Sequence, residues 1–187
     1  MGNRFDIIST PISSLKLIQR KPLGDQRGYL ERLFCNEELQ AIFPGKNIAQ
    51  INHTVTHIRG TIRGMHFQHP PYTETKLISC IRGAVFDVAI DLRKNSPTFL
   101  HYHAEILTDD NHKTFFIPDG FAHGFQTLTD QCELLYFHTN QYNPEAEGGL
   151  NALDPRLAIR WPLSTINRSE RDTSHPLLAT HFEGINL

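Results

Sequence analysis

At 187 residues, with 39% hydrophobic and 20% charged residues and a formal net charge of -2, the chain can bury a sizeable core as one domain and is neither membrane-like nor disordered in composition. That charge argues against general nucleic-acid binding, so an anionic ligand must meet a local cluster of Arg and Lys. No run approaches the roughly 18 apolar residues of a membrane-spanning helix.

The first segment, MGNRFDIISTPISSLKL, lacks a basic stretch followed by an apolar one, so no secretory signal is expected. Gly2 is not followed by the Ser or Thr of an N-myristoylation signal. Strand signals begin with the alternating YLERLFC (29–35). The segment NEELQAIF (36–43) reads as a helix with Asn36 as N-cap and acids in its first turn. Short runs rich in Ile, Val, Phe, Leu or Thr follow: NIAQINHTV, TIRGMHF, KLISCI, AVFDVAIDL, FLHYHAEIL, KTFFI, HGFQTL and CELLYFHT. Turn residues separate them, in FPGKN, QHPPY, RKNSPT, TDDN and PDG. A second helix is expected near STINRSERD (164–172). Many closely spaced strands with almost no helix predict an all-β sandwich or barrel with a few short helices. FDVAIDL, apolar except for Asp87 and Asp91, suits an inner strand buried on both faces. No repeat or linker divides the chain, so residues 1–187 form a single domain, those after about Pro144 extending from it. Cys35, Cys80 and Cys132 are unclustered, which suggests reduced cytosolic thiols filling the core.

Eleven histidines keep metal binding and proton transfer open. Strict alternation along TIRGMHF puts Arg63 and Met65 on one face and Ile62, Gly64 and His66 on the other. Along CELLYFHT, Cys132, Leu134, Tyr136 and His138 share a face. A barrel lined by one set would hold His66 and Tyr136 as polar groups in an apolar cavity, the usual make-up of a small-molecule site. Each, taken singly, reads rather as a buried, hydrogen-bonded strand residue. IPDGFAHGF (117–125) carries Pro118, Gly120 and His123 at the P-x-G-x-x-H spacing of the second cupin motif: a tight turn, then a His entering the barrel. The first cupin motif is altered. His66 and His69 are three apart, Pro70 and Pro71 end the strand, and Lys76 follows Glu74 where its charge disfavours a cation. A metal-dependent cupin would use His66, His69, Glu74 and His123; a non-catalytic sugar-binding cupin is a further reading.

With GDQRGYLER, QINHT, RGMHFQ, TKL, GAVFDVAIDLRKNSPTF, IPDGFAHGF, LLYFHTNQYNPEAEGG, DPRLAIRWP and SERD in order over nearly the whole chain, the sequence resembles the dTDP-4-dehydrorhamnose 3,5-epimerase family. The resemblance implies a cupin double-stranded β-helix (jelly roll) and a cytoplasmic epimerase of nucleotide-linked 4-keto-6-deoxy sugars, without metal or redox cofactor. By matching positions it implies His66 as base, Asp172 as its carboxylate partner, Lys76 as the cation at the keto oxygen and Tyr136 as proton donor. It implies substrate contacts at Arg27, Glu31, Gln50, Asn52, Arg63, His123, Glu147 and Arg171, and base stacking at Tyr142. It also implies a homodimer in which the DQRGYLE strand crosses to the neighbour, so that Arg27 and Glu31 act in trans. The chain departs from the family at Leu23, where an aromatic is frequent, and at NALDP, which lacks a Trp. NHTVTHIRGTIRG is one residue longer than usual. These departures leave the nucleotide and sugar open.

Overall fold

The computed structural model describes residues 3–187; Met1 and Gly2, with the myristoylation question, lie outside the described residues. The chain opens with β1 (Phe5–Ser9), β2 (Lys16–Arg20), β3 (Leu23–Asp25), β4 (Gly28–Leu30) and helix α1 (Asn36–Leu39). It continues through β5 (Gln50–Thr56), β6 (Ile62–Gln68), β7 (Lys76–Arg82), β8 (Ala84–Asp91) and β9 (Tyr102–Thr108). Then come β10 (Lys113–Ile117), β11 (Phe121–Thr127), β12 (Cys132–His138), β13 (Glu147–Gly149) and helix α2 (Glu170–Ser174). One sheet runs β1-β2-β10-β7-β12-β5 and the other β13-β6-β11-β8-β9, with β3-β4 as a separate hairpin. Every pair of these strands is antiparallel. This is the two-sheet jelly roll expected of a cupin, with β8 an interior strand.

Period-two alternation sorts the side chains into three layers. Ile78, Cys80, Leu134 and Tyr136 of one sheet meet Val85, Ala89, Leu107, Phe121 and Phe125 of the other in the central core. The opposite face of the first sheet presents Ile18, Leu77, Phe116 and Phe137 to Leu39 and Phe43. The opposite face of the second presents Ile62, Met65, Val88, Ile90 and Ala122 to Leu150, Ala152, Leu157 and Ile185. Trp161 anchors this last layer, its Nε1 donating to the Ala152 carbonyl at 2.9 Å. Cys35, Cys80 and Cys132 are free thiols. Burial pushes the Cys80 thiol up to about 12, which makes it packing rather than a nucleophile. Among the described residues no helix is long and apolar enough to cross a membrane.

Several expectations change. The first strands are β1 and β2, and YLERLFC is strand only as far as Leu30. Residues 31–35 instead turn back into the chain: Glu31 accepts from Arg20 Nε at 2.9 Å and from His112 Nδ1 at 2.8 Å. The first helix stops at Leu39, and its N-cap is Cys35, with no side-chain cap bond. Leu39 and Phe43 are both buried in the outer core, so packing, rather than a cap, holds the segment ahead of Pro44. Along β6, Arg63 does not face away from His66. The pairing with β11 shifts register between His123 and Gly124, and Gly64 has φ +118°. Arg63 and His66 therefore line the same cavity, while Met65 packs into the outer core.

Candidate active site

A cavity of about 670 Å³ opens among β5, β6, β7, β11, β12, β13 and α2. Its lining gathers His66, Lys76, Tyr136, Asp172, Asn52, Arg63, His123, Tyr142, Glu147 and Arg171, ten positions scattered over 121 residues of sequence. Arg27 and Glu31 are not brought there. Arg27 is exposed on the β3–β4 hairpin against Asp25, and Glu31 is tied to Arg20 and His112. Gln50 stands just behind the lining, bonded to Asn52 and to the Tyr142 amide.

His66 reaches the cavity because β6 and β11 approach closely. A Cβ on Gly64 would sit 2.6 Å from the Gly124 Cα, and one on Gly124 2.5 Å from Met65 Sδ. Asp172 comes from α2, where the Ser169 hydroxyl accepts from the Asp172 amide at 3.0 Å and so caps the helix. The buried Asp172 carboxylate bonds His66 Nε2 at 2.8 Å and accepts from the Gly64 amide at 3.0 Å. Burial alone would raise this carboxyl, but those hydrogen bonds and the His66 charge hold it well below the usual carboxylate range. It is ionised at neutral pH and can support an imidazolium.

Lys76 is buried, its Nζ 3.4 Å from the His66 carbonyl oxygen and 3.2 Å from Glu74. Tyr136 faces the same space from β12. Burial, with the nearby Asp87 charge, pushes its phenol well above the usual range, so it keeps its proton at neutral pH. Its ring meets His123 edge-on at 5.8 Å and lies parallel to His138 at 5.9 Å. His123 bonds Asp87 at 2.9 Å, and Asp87 Oδ2 has no hydrogen-bond partner among the described residues. Burial lowers the His123 imidazole and raises the Asp87 carboxyl. At the other end Arg171 pairs with Glu147 at 3.1 Å and lies 3.6 Å from Asp172, its Nη2 coming within 3.2 Å of His66 Nε2. The Tyr142 hydroxyl donates to Glu147 at 2.9 Å.

The residues suggested for a metal do not converge. His69 is exposed beyond the end of β6, Glu74 is taken by His138 and Lys76, and His123 by Asp87. Among the described residues, the group with donor atoms close together is His66, Asp172 and His175, within 4.8 Å of one another. The Arg171 guanidinium lies against His66 and Asp172, and its charge opposes a cation there. Sequence reasoning missed three of these side chains, Asp87, His138 and His175, and read Glu74 only as a candidate metal ligand. Asp87 was legible as a charge inside an apolar strand, and His138 as the face-mate of Tyr136. His175 lies where a Cβ on Gly149 would fall 2.1 Å from its Nε2, a proximity between distant segments that no local pattern signals.

The family model described as dTDP-4-dehydrorhamnose 3,5-epimerase matches residues 9–180. A dTDP-4-dehydrorhamnose 3,5-epimerase of Sinorhizobium fredii is 38% identical over 171 residues, 91% of this chain and 88% of that protein. A dTDP-4-dehydrorhamnose 3-epimerase of Streptomyces niveus is 38% identical over 157 residues, 83% of this chain and 75% of that one. The crystal structure of dTDP-6-deoxy-D-glucose-3,5-epimerase from Legionella pneumophila, in complex with dTDP-4-keto-L-rhamnose, matches with a TM-score of 0.88 at 38% identity, covering 92% of each chain. By sequence and by fold, this chain belongs to the dTDP-4-dehydrorhamnose 3,5-epimerase family.

Proposed function

We propose that the chain epimerises a dTDP-linked 4-keto-6-deoxy sugar at C3, C5 or both. The observation that carries this reading is one cavity holding a His–carboxylate pair, a proton-retaining Tyr and a buried Lys. Hydrogens at C3 and C5 are acidic because each carbon is α to the C4 carbonyl. His66, supported by the ionised Asp172, takes a proton from one face of the ring. Lys76 stabilises the negative charge that develops on the C4 oxygen, an effect that is large where water is excluded. Tyr136 delivers a proton to the other face, which inverts the centre. Every step is a proton transfer beside a ketone, so the scheme calls for no metal or redox cofactor. Arg63 and Arg171 suit the pyrophosphate, where a guanidinium gives paired hydrogen bonds. Tyr142, more than half exposed, suits stacking on the base.

The working form is a homodimer of single-domain chains in the cytoplasm. Its support is the β3–β4 hairpin, whose Leu23, Tyr29 and Leu30 are 49%, 60% and 71% exposed in two three-residue strands too short to stand alone. Crossing to a second copy would cover these side chains and carry Arg27 toward that copy's cavity, with Glu31 at the base of the hairpin.

The test is incubation with dTDP-4-keto-6-deoxyglucose in deuterated water, followed by proton NMR. The expected result is deuterium at C3 or C5 with appearance of the inverted sugar. Binding of the nucleotide sugar without exchange would leave a sugar-binding cupin instead.

A further inference from the structure

Glu74 enters none of the steps above, yet it is a nearly buried carboxylate inside the cavity. A buried carboxylate is costly unless its oxygens are filled, and here both are. Oε2 bonds His138 Nδ1 at 2.7 Å, and Oε1 pairs with Lys76 Nζ at 3.2 Å. Burial raises this carboxyl, but the His138 hydrogen bond and the Lys76 charge outweigh it and hold it below the usual carboxylate range.

From His138 the contacts run on. Its Nε2 stands 3.5 Å from Asn52 Nδ2, Asn52 Oδ1 accepts from Gln50 Nε2 at 3.0 Å, and Gln50 Oε1 accepts from the Tyr142 amide at 3.2 Å. With Nδ1 of His138 protonated, each link has one donor and one acceptor, and all donors point toward Glu74. Such aligned chains strengthen one another. This one joins the exposed Tyr142 to the buried ammonium of Lys76.

An alternative partner for that ammonium is close. Asp87, fully buried beside the cavity-lining His123, has an oxygen with no hydrogen-bond partner among the described residues and feels the Lys76 charge. Glu74 competes with it, and Lys76 rests between Glu74 and the His66 carbonyl.

We propose that Glu74 and His138 are positioning residues, which hold Lys76 beside the reacting ketone. The role of Lys76 rests on the epimerase reading; the contacts do not.

The test begins with Glu74→Gln, which keeps the shape and an acceptor for His138 but turns an amide N–H toward Lys76. Its crystal structure should show Nζ released from the His66 carbonyl and drawn toward Asp87. Deuterium exchange should fall about 10–100-fold, the scale of an ångström-level misplacement, while dTDP binding by calorimetry stays at the wild-type value. His138→Phe keeps the packing on Tyr136 and removes the donor, so it should lose a similar factor. His138→Asn, whose amide can again donate to Glu74, should recover most of the rate. Should Glu74→Gln fail to fold, the two His138 variants read the same contact. Lys76 unmoved in the Glu74→Gln structure, or equal rates in His138→Phe and His138→Asn, overturns the proposal. Absence of exchange in the wild type overturns the epimerase reading instead, and the position of Lys76 in the variant still decides the pair.

Discussion

Asp87 and Asp91 lie four residues apart on β8, both fully buried, yet their surroundings are opposite. Asp91 is saturated. It accepts from Arg93 Nε at 2.8 Å and Nη2 at 2.7 Å, from Ser96 at 2.5 Å and from Thr98 at 2.7 Å. Burial would raise it, but these donors bring it down to about 2. Asp87 has, among the described residues, the single side-chain partner His123, and burial raises it. One end of the strand uses its carboxylate to close a turn. Asp87, at mid-strand, instead holds the cavity-lining His123. A buried carboxylate is held ionised where donors saturate it and is raised by burial where they do not.

The largest expected effect separates the cavity from everything outside it. His66→Asn should reduce deuterium exchange by about 10⁴-fold, the upper end for a general base, with circular dichroism and melting close to wild type. His69→Asn, three residues away but outside the cavity, should leave exchange unchanged. If it abolished exchange together with a bound cation, measured by elemental analysis, the cavity would be a metal site. Tyr136→Phe comes next. Deuterium should still wash into the sugar, because His66 remains, while NMR shows inverted product falling by about 10²-fold or more.

The smallest effect falls on the aspartates themselves and has opposite signs. The Asp91 carboxyl lies below its ordinary value of 3.8, so it contributes stability that is full above that value and is lost as pH falls through about 2. Asp91→Asn should cost about 2 kcal/mol at pH 7 and leave exchange intact. Asp87, raised in the fold, weakens stability as pH rises above its unfolded value. Asp87→Asn should match or exceed wild-type stability at pH 7. Denaturant unfolding of the two variants at pH 7 and pH 4 checks both signs; a loss of stability in both would break the contrast.

What could be read from the sequence was whatever is local. FDVAIDL announced an inner strand, and PDG a turn that ends β10 at Ile117, begins β11 at Phe121 and delivers His123 into the barrel. Motif positions also brought together His66, Lys76, Tyr136 and Asp172. What escaped depended on distant partners. β1 and β2 are short, mixed segments that become strands by pairing with each other and, for β2, with β10, about a hundred residues on. Strict alternation puts Arg63 on the wrong face because β6 carries one extra residue, Met65, between the pairs Gly64–Gly124 and His66–His123. Glu74 looked like a metal ligand until His138, 64 residues away, was found to hold it.

The contact between Gly64 and Gly124 has a consequence for redesign. Each position forbids any side chain because of the other strand's backbone, and Gly64 also has a φ that L residues avoid. No compensating substitution across the pair can restore the space. The strands that deliver His66 and His123 are thus fixed relative to each other, and a library aimed at new sugars gains nothing by randomising them. Diversity belongs at the cavity's rim, where His57 and Ile58 line the opening from an exposed turn. There the pocket can be reshaped without moving the base.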